Sequence, residues 1–350
     1  MNFQRLILIV CMIAISSGCA TMPSVDISSS EPGLQSLKPG LVWPPPPQTP
    51  RIQYLRSIKS PSDIGLRKSL FRKTLEAISG KEEIEGILLR PYGIYVYSDK
   101  IYATDPGIHC LHVFDTKKRK YFKITDIKGK ELISPIDVAV DKDENIYLSD
   151  SVLKRVSVFD KDRNYKREIG TPEAFQRPTG LAIDDERIYV LDTLAHCVLV
   201  FNRNDGKLLF QFGKNGVDRG DFNYPAHIFI KNKQIYVTDA MNFRIQIFDR
   251  DGNFIFSFGR HGDGSGDFSK PKGIAVDSEG HIYVADAHFD NVQIFDKDGR
   301  LLLAFGNTGR GKGEMILPAD VFIDETDKIY VADSYNNRIQ VFQYLKAKTN

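Results

Sequence analysis

The chain has 350 residues, of which 42% are hydrophobic and 26% are charged. This apolar content excludes an intrinsically disordered protein and is sufficient for a sizeable buried core. The formal net charge at pH 7 is only +2, which lacks the basic excess of nucleic-acid-binding proteins. We therefore expect a folded body without a nucleic-acid partner.

The first 18 residues have the pattern of an export signal. One charged side chain, Arg5, precedes ten mostly apolar residues at positions 6–15, and small residues follow at positions 16–18. An apolar stretch this short crosses about half of a bilayer's hydrocarbon core as a helix, so a membrane span is not expected. We predict a signal peptide over residues 1–18.

The residues around Cys19 set the predicted location. Ser16, Ser17 and Gly18 before Cys19 resemble the lipobox of bacterial lipoproteins, although Ser16 stands where that pattern prefers Leu. The resemblance implies that Cys19 is lipidated and becomes the first mature residue, and Ala20 after it implies the outer membrane. The prediction is an outer-membrane lipoprotein facing the periplasm or the outside. The alternative is cleavage after Ala20, which gives a free periplasmic protein.

Residues 19–50 are predicted to form a Pro/Ser-rich tether. Eight prolines fall in the 31 positions from 20 to 50, including all of positions 44–47. Such a stretch is extended and semi-rigid and does not build a core. Trp43, the single Trp of the chain, lies within it and either packs against the body or serves an interaction role.

One pattern recurs six times from residue 91 onward. Each copy has a Pro, an apolar strand, a turn, a second strand ending in Asp and a third strand ending near an aromatic residue, as in PKGIAVDSEGHIYVADAHFDNVQIFD at positions 271–296. The lead prolines are spaced by 44, 43, 47, 46 and 47 residues and are Pro91, Pro135, Pro178, Pro225, Pro271 and Pro318. This period is typical of one four-stranded propeller blade. The repeat resembles the NHL-repeat family across residues 91–343, which implies an all-β, six-bladed β-propeller.

The propeller is predicted to span residues 51–345, with a short tail at 346–350. The last copy lacks a fourth strand, and the alternating segment at 51–58 has the pattern of that missing strand. We expect it to complete blade six and close the ring, because this removes two exposed sheet edges. Residues 65–79 are predicted to form an amphipathic helix that caps the propeller or contacts a membrane surface through Arg67, Lys68, Arg72 and Lys73.

The residues that are the same in every blade are interpreted as structural. An Asp ends the second strand of all six copies, and six equivalent copies of an active site are not expected, so these residues are predicted to cap turns; they are Asp105, Asp150, Asp192, Asp239, Asp286 and Asp333. Arg155, Arg244 and Arg338 follow their Asp by five positions and are predicted to pair with it. Cys110 and Cys197 lie in blades one and three, too far apart for a disulfide.

Functional residues more often lie at positions where one copy of a repeat differs from the other copies. Two positions after the lead Pro the blades have, in order, Gly93, Asp137, Gly180, His227, Gly273 and Asp320. The polar residues fall on alternate blades and begin the innermost strand, so they point toward the mouth of the central channel. Carboxylate and imidazole are suitable ligands for a divalent metal. The alternative is that Asp137, His227 and Asp320 are solvated mouth residues.

The turns between the second and third strands carry a second candidate site. These turns share one face of the disc with the links between blades, and they hold Leu194, Met241, Phe243, His288, Phe289 and Tyr335. Aromatic and sulfur-containing side chains on an open face suit a partner protein or a chain-like ligand. The alternative is that each side chain packs on the neighbouring blade.

We predict an exported, membrane-anchored and monomeric propeller that acts as a non-catalytic scaffold for a protein or glycan partner in the cell envelope. No cofactor is predicted for this scaffold. The alternative is a metal-dependent hydrolase or lyase with Asp137, His227 and Asp320 at the channel mouth.

Overall fold

The computed structural model of the chain describes residues 40–66 and 86–346. The signal peptide, Cys19 and the first part of the tether lie outside these ranges. The predicted helix over 65–79 also lies outside them, apart from its first two residues. No helix within the described residues is long and apolar enough to cross a membrane.

The described residues consist mainly of short strands. In chain order they are β1 (Val42–Trp43), β2 (Ile52–Ile58), β3 (Ile94–Tyr97), β4 (Lys100–Asp105), β5 (Cys110–Asp115), β6 (Lys120–Ile124), β7 (Asp126–Ile127), β8 (Lys130–Glu131), β9 (Pro135–Val140), β10 (Ile146–Asp150), β11 (Arg155–Phe159), β12 (Tyr165–Ile169), β13 (Pro178–Ile183), β14 (Arg187–Asp192), β15 (Cys197–Asn202), β16 (Leu208–Phe212), β17 (His227–Lys231), β18 (Gln234–Asp239), β19 (Arg244–Asp249), β20 (Phe254–Phe258), β21 (Pro271–Val276), β22 (Ile282–Asp286), β23 (Asn291–Phe295), β24 (Leu301–Phe305), β25 (Pro318–Ile323), β26 (Lys328–Asp333) and β27 (Arg338–Tyr344). Short 3-10 helices lie at Pro61–Ile64, Pro172–Ala174, Ala240–Asn242 and Ser334–Asn336.

These strands form six antiparallel sheets arranged as the blades of a propeller. Blades one to five are β3–β6, β9–β12, β13–β16, β17–β20 and β21–β24, and β7 and β8 form a small hairpin in the link between the first two blades. The first strands of successive blades contact one another in the cyclic order β3, β9, β13, β17, β21, β25 and back to β3. The predicted six-bladed, all-β fold is therefore confirmed.

The burial of each strand explains its sequence pattern. The middle strands are covered on both faces, and every residue of β5 is buried. Outer strands such as β24 alternate between buried and exposed positions because one face meets solvent. The core lies between blades, where Tyr283 and Phe305 of blade five share a hydrophobic cluster with Val331 and Phe342 of blade six.

The ring is closed by the N-terminal segment of the body. Strand β2 pairs antiparallel with β27, with Ile52 opposite Tyr344 and Ile58 opposite Ile339. Blade six is thus built from both ends of the propeller sequence, as predicted for residues 51–58. Because opening this pairing would expose an edge on each partner, the closure protects the sheet from pairing with other chains.

The last part of the predicted tether belongs to the body, which corrects the boundary expected at residue 50. Strand β1 pairs with β2 as a fifth strand of blade six. The Trp43 ring lies 5.9 Å from the Phe305 ring and 5.8 Å from the Phe342 ring, measured between centroids. The prolines at 44–47 do not exclude this packing, because they form the turn after β1 while Val42 and Trp43 make the contacts.

The strand-ending aspartates hold the links between blades. Asp105 accepts hydrogen bonds from the backbone N–H groups of Leu89 and Arg90, and Asp286 accepts them from Ser269 and Lys270. Each carboxylate therefore fixes the segment that leads into the first strand of its own blade.

Two of the three predicted Asp–Arg pairs are present. Arg244 lies 2.8 Å from Asp239 and Arg338 lies 2.7 Å from Asp333. The prediction is wrong for Arg155, which pairs with Glu168 at 3.2 Å. The Asp150 carboxylate instead accepts hydrogen bonds from backbone N–H groups of the preceding link and the following turn.

Replacing Trp43 tests whether β1 contributes to the stability of the ring. We expect Trp43→Ala to lower the free energy of unfolding by about 3 kcal/mol, because a large ring is removed from two aromatic contacts. Gln48→Ala, at an exposed position in the following turn, serves as the control. Chemical denaturation of the two variants measures the difference, and equal midpoints would show that β1 is dispensable.

Candidate functional site on the propeller axis

The position two residues after the lead Pro, at or near the start of each innermost strand, alternates between Gly and a polar residue, and part of the reason is steric. A Cβ added to Gly273 would lie 2.4 Å from the Cα of Asp320, and one added to Gly93 would lie 2.5 Å from the carbonyl oxygen of Ile136. A Cβ on Gly180 would be less crowded, with its nearest neighbour, the Ile228 side chain, at 3.0 Å. The glycines of blades one and five thus make room for the polar residues of blades two and six.

Both aspartates of this set are held by backbone groups of the following blade. Asp137 Oδ2 accepts a 2.7 Å hydrogen bond from the Leu181 N–H, and Asp320 Oδ2 accepts a 2.8 Å hydrogen bond from the Ile94 N–H. The second oxygen of each carboxylate accepts from the N–H of the next residue along its own strand, at 2.8 Å in both cases. These bonds connect neighbouring blades and fix the direction of both carboxylates.

His227 occupies the corresponding position in blade four. Its Nδ1 atom lies 3.4 Å from the Ile274 nitrogen of blade five, a long version of the same contact. Its Nε2 atom lies 3.2 Å from Asp320 Oδ1 and 3.8 Å from Asp137 Oδ2. The structure therefore brings Asp137, His227 and Asp320 together, with one donor atom from each within 4.8 Å of the others.

Burial shifts the protonation of all three groups. It raises the pKa of the Asp137 carboxyl and of the Asp320 carboxyl, and the negative charge of Asp137 raises the pKa of Asp320 further. Burial lowers the pKa of the His227 imidazole to about 4, so this ring is neutral at neutral pH. The cluster therefore contains two carboxyl groups and no permanent positive charge of its own.

The surrounding described residues do not supply that charge. His227 is the only basic side chain among them at salt-bridge distance from either carboxylate. Lys272 lines the narrow space beside the cluster, but its ammonium group donates to the Tyr92 hydroxyl at 3.1 Å. Negative charge on the two aspartates is consequently not balanced by a neighbouring cation within the described structure.

The cluster separates two spaces of very different size. The narrow space, lined by Lys272, Tyr92, Gly93 and Gly180, has a volume of about 10 Å³. On the other side lies a cavity of about 740 Å³, lined by Asp137 and His227 together with the aromatic residues Tyr95, Phe229 and Phe322. This cavity extends to the turns at 98–99 and 324–326, on the disc face opposite the links. The three residues thus lie inside the channel, whereas the sequence predicted that they point toward its mouth.

The second predicted site is only partly exposed. Leu194, Met241 and Tyr335 are 40%, 54% and 59% exposed, and His288 is also exposed. Phe289 is half-buried, and so is Phe243, whose ring centroid lies 4.3 Å from that of His261. The alternative of packing on neighbouring structure therefore fits Phe243, which also contacts the hydrophobic cluster between blades four and five.

Sequence reasoning missed two members of the exposed set. Ile108 of blade one and Val152 of blade two occupy the same turn and are 40% and 57% exposed. Their position, two or three residues after the strand-ending Asp, is the signal that could have identified them. An aliphatic side chain at this position is as exposed as an aromatic or sulfur-containing one.

The two described cysteines carry no site. Cys110 and Cys197 are buried free thiols, in agreement with the expectation that they do not form a disulfide. Burial raises the pKa of Cys110 to about 12 and that of Cys197 to about 11, so neither is a reactive thiolate at neutral pH.

Comparison with known families identifies the repeats. The profile of family DUF5128, described as a 6-bladed beta-propeller, matches residues 171–241, 228–289 and 278–346. Together these overlapping matches cover half of the chain.

Solved structures with the same fold come from several kinds of protein. An auxiliary nutrient binding protein from Bacteroides thetaiotaomicron VPI-5482 has 13% identity and a TM-score of 0.58, over 74% of this chain and 70% of that one. A structural genomics protein from the same organism has 17% identity and a TM-score of 0.59, over 75% and 71% of the two chains. Virginiamycin B lyase from Staphylococcus aureus has 14% identity and a TM-score of 0.54, over 73% and 96%. These similarities show the fold.

Two glycine variants test the steric account of the axis. We expect Gly273→Ala to lower the free energy of unfolding by about 3 kcal/mol, because the new Cβ meets the backbone of blade six. Gly180→Ala, at the equivalent position of blade three, should lower it by about 1 kcal/mol, because its Cβ meets the Cγ2 and backbone N atoms of Ile228 at 3.0 and 3.2 Å and a smaller shift is sufficient. Denaturation curves measure both effects, and equal losses would contradict the proposed alternation.

Proposed function

From the premise that the chain belongs to the DUF5128 family of 6-bladed beta-propellers, we propose that it is a non-catalytic scaffold that binds a protein partner in the cell envelope. The fold neighbours include auxiliary nutrient binding proteins from two Bacteroides species, which is consistent with a binding role for this propeller. The proposal extends this role to a particular surface and a particular class of partner.

One observation carries the proposal: the same turn presents an exposed side chain in all six blades. We call this set the turn ring, and its members are Ile108, Val152, Leu194, Met241, His288 and Tyr335. Five of the six are large hydrophobic residues, and all belong to turns on the face that also carries the links. A repeated apolar position on an open face is typical of an interaction surface.

The composition of the turn ring favours a protein over a glycan. Glycan recognition relies on planar rings that stack on sugars, whereas four members of the ring are aliphatic or thioether side chains. Apolar side chains of this kind are characteristic of the cores of protein–protein interfaces. Links on the same face add Tyr224 and Val217, which are 46% and 71% exposed.

Hydrogen bonds to the strand-ending aspartates order the turns that carry the turn ring. In blade two, Asp150 Oδ1 accepts hydrogen bonds from the N–H groups of Val152 and Leu153. In blade five, Asp286 Oδ1 accepts a bond from the N–H of His288. Because these turns are already ordered, binding requires little further loss of conformational freedom.

The proposed location in the envelope rests on the predicted export signal and on the predicted lipidation of Cys19. Lipidation of Cys19 would anchor the chain, and the proline-rich residues before the body would keep it at a distance from the membrane. A free periplasmic protein, produced by cleavage after Ala20, would present the same surface without the anchor.

Charged substitutions in the turn ring test the binding surface. We expect the triple variant Val152→Asp, Met241→Asp and Tyr335→Asp to reduce partner capture at least tenfold, because buried charges in an apolar interface are unfavourable. The matched control is Leu209→Asp, Ile255→Asp and Leu302→Asp, on outer strands at similar exposure. Photo-crosslinking in intact cells measures capture, and circular dichroism verifies that both variants fold.

Three results distinguish the outcomes of that experiment. Loss of a crosslinked protein in the turn-ring variant alone supports the proposal. Equal crosslinking in both variants contradicts it. A crosslinked adduct that glycosidases remove would identify a glycan partner and would likewise overturn the proposed protein.

Cys19→Ala tests the anchor separately. We expect this variant to move from the membrane fraction to the soluble periplasmic fraction and to lose labelling by a radioactive fatty acid. Thermal unfolding of the body should be unchanged, because residue 19 lies outside it. Fatty-acid labelling that persists in the variant, or that is absent from the wild type, would contradict lipidation at Cys19.

A further inference from the structure

Beyond the scaffold function, we propose that Asp137, His227 and Asp320 form a three-ligand site for a divalent transition-metal ion, with coordination positions left open toward the large cavity. The donor set is two carboxylate oxygens and one imidazole nitrogen, which suits Zn²⁺ or Mn²⁺. The inference concerns binding of the ion and does not require a reaction.

The distances between donor atoms agree with such a site. An ion at about 2.0 to 2.2 Å from nitrogen and oxygen ligands requires these donors to be about 3 to 4 Å apart. The observed separations are 3.2 Å from His227 Nε2 to Asp320 Oδ1 and 3.8 Å from His227 Nε2 to Asp137 Oδ2, and all three donor atoms lie within 4.8 Å of one another. Small side-chain movements are therefore sufficient to surround an ion.

The surrounding hydrogen bonds orient the carboxylates for this role. The N–H groups of Leu181 and Ile94 hold Asp137 and Asp320 from the neighbouring blades, as the outer shell of a metal site does. Binding through Nε2 places the imidazole proton on Nδ1, which gives up the contact with the Ile274 N–H. That contact is 3.4 Å long, so its loss is a weak penalty.

The neighbouring charges leave room for a cation. Two buried carboxyl groups lie beside one imidazole, and Lys272, the basic group on the narrow side, is bonded to Tyr92. A divalent ion would neutralise both carboxylates without a further protein charge. It would also connect blades two, four and six at one point, since each blade contributes one ligand.

The space around the cluster determines the side from which a further ligand could reach the ion. Three protein ligands leave at least one coordination position for water or another ligand. The narrow space of about 10 Å³ is at the lower limit for one water molecule. The cavity of about 740 Å³ has far more space, and Tyr95 and Lys231 are among the residues that line it. Water or an anionic oxygen ligand would reach the ion from this side.

Metal titration of the full chain tests the inference. After treatment with a chelator, the protein is titrated with MnCl2 while electron paramagnetic resonance follows free Mn²⁺, and with ZnCl2 in a calorimeter. We expect one ion per chain and binding at least 100-fold weaker in His227→Ala. His261→Ala, which removes an exposed imidazole in the link between blades four and five, is the matched control and should bind as the wild type does.

Two further measurements keep the test decisive. If His227→Ala fails to fold, Asp137→Asn takes its place and should show the same loss. Water proton relaxation should show an exchangeable water on the bound Mn²⁺, and the absence of one would refute the open positions. No stoichiometric ion in the wild type, or equal binding in the site variant, would overturn the site. Neither outcome bears on the turn ring, so failure here is distinguishable from failure of the scaffold function.

Discussion

The close approach of six innermost strands around one axis is the constraint on which the rest of the structure depends. Two positions after the lead Pro, blades one and five have no room for a side chain, because a Cβ on Gly93 or Gly273 would collide with the backbone of the next blade. The polar side chains of the alternate blades are directed at one another. The same crowding that demands glycine in blades one and five therefore accompanies the convergence of Asp137, His227 and Asp320 at one point.

The sequence predicted the features that depend on periodicity. The spacing of the lead prolines indicated six blades, and the departures from the repeat at positions 137, 227 and 320 indicated a cluster on the axis, because equivalent positions in a closed ring face the same centre. The closing strand was also predictable, since a blade with three strands leaves an unpaired edge.

Other features could not be predicted because they depend on contacts distant in sequence. A run of prolines indicates a tether, and nothing local shows that Trp43 reaches Phe305 and Phe342 across blade six. The cavity depends on the sizes of Tyr95, Phe229 and Phe322, which come from three different blades. Phe243 was expected on the surface but is half-buried beside His261, a residue of the next link.

The two faces of the disc lie at opposite ends of the propeller axis, and they differ in chemistry. The face with the links carries the turn ring, whose rigid apolar side chains suit a protein partner. The opposite face opens into a deep cavity with a polar floor and aromatic walls, which suits a small ligand. A rigid ring with closed edges allows both surfaces to be used without one disturbing the other.

The convergence of three alternate blades on one point is the central claim, and a crystal structure of the zinc-soaked protein tests it most directly. Anomalous scattering at the zinc edge should give one peak per chain, about 2.1 Å from a donor atom of each of Asp137, His227 and Asp320. A map without a peak on the axis, or side chains of these residues that point away from one another, would contradict the account.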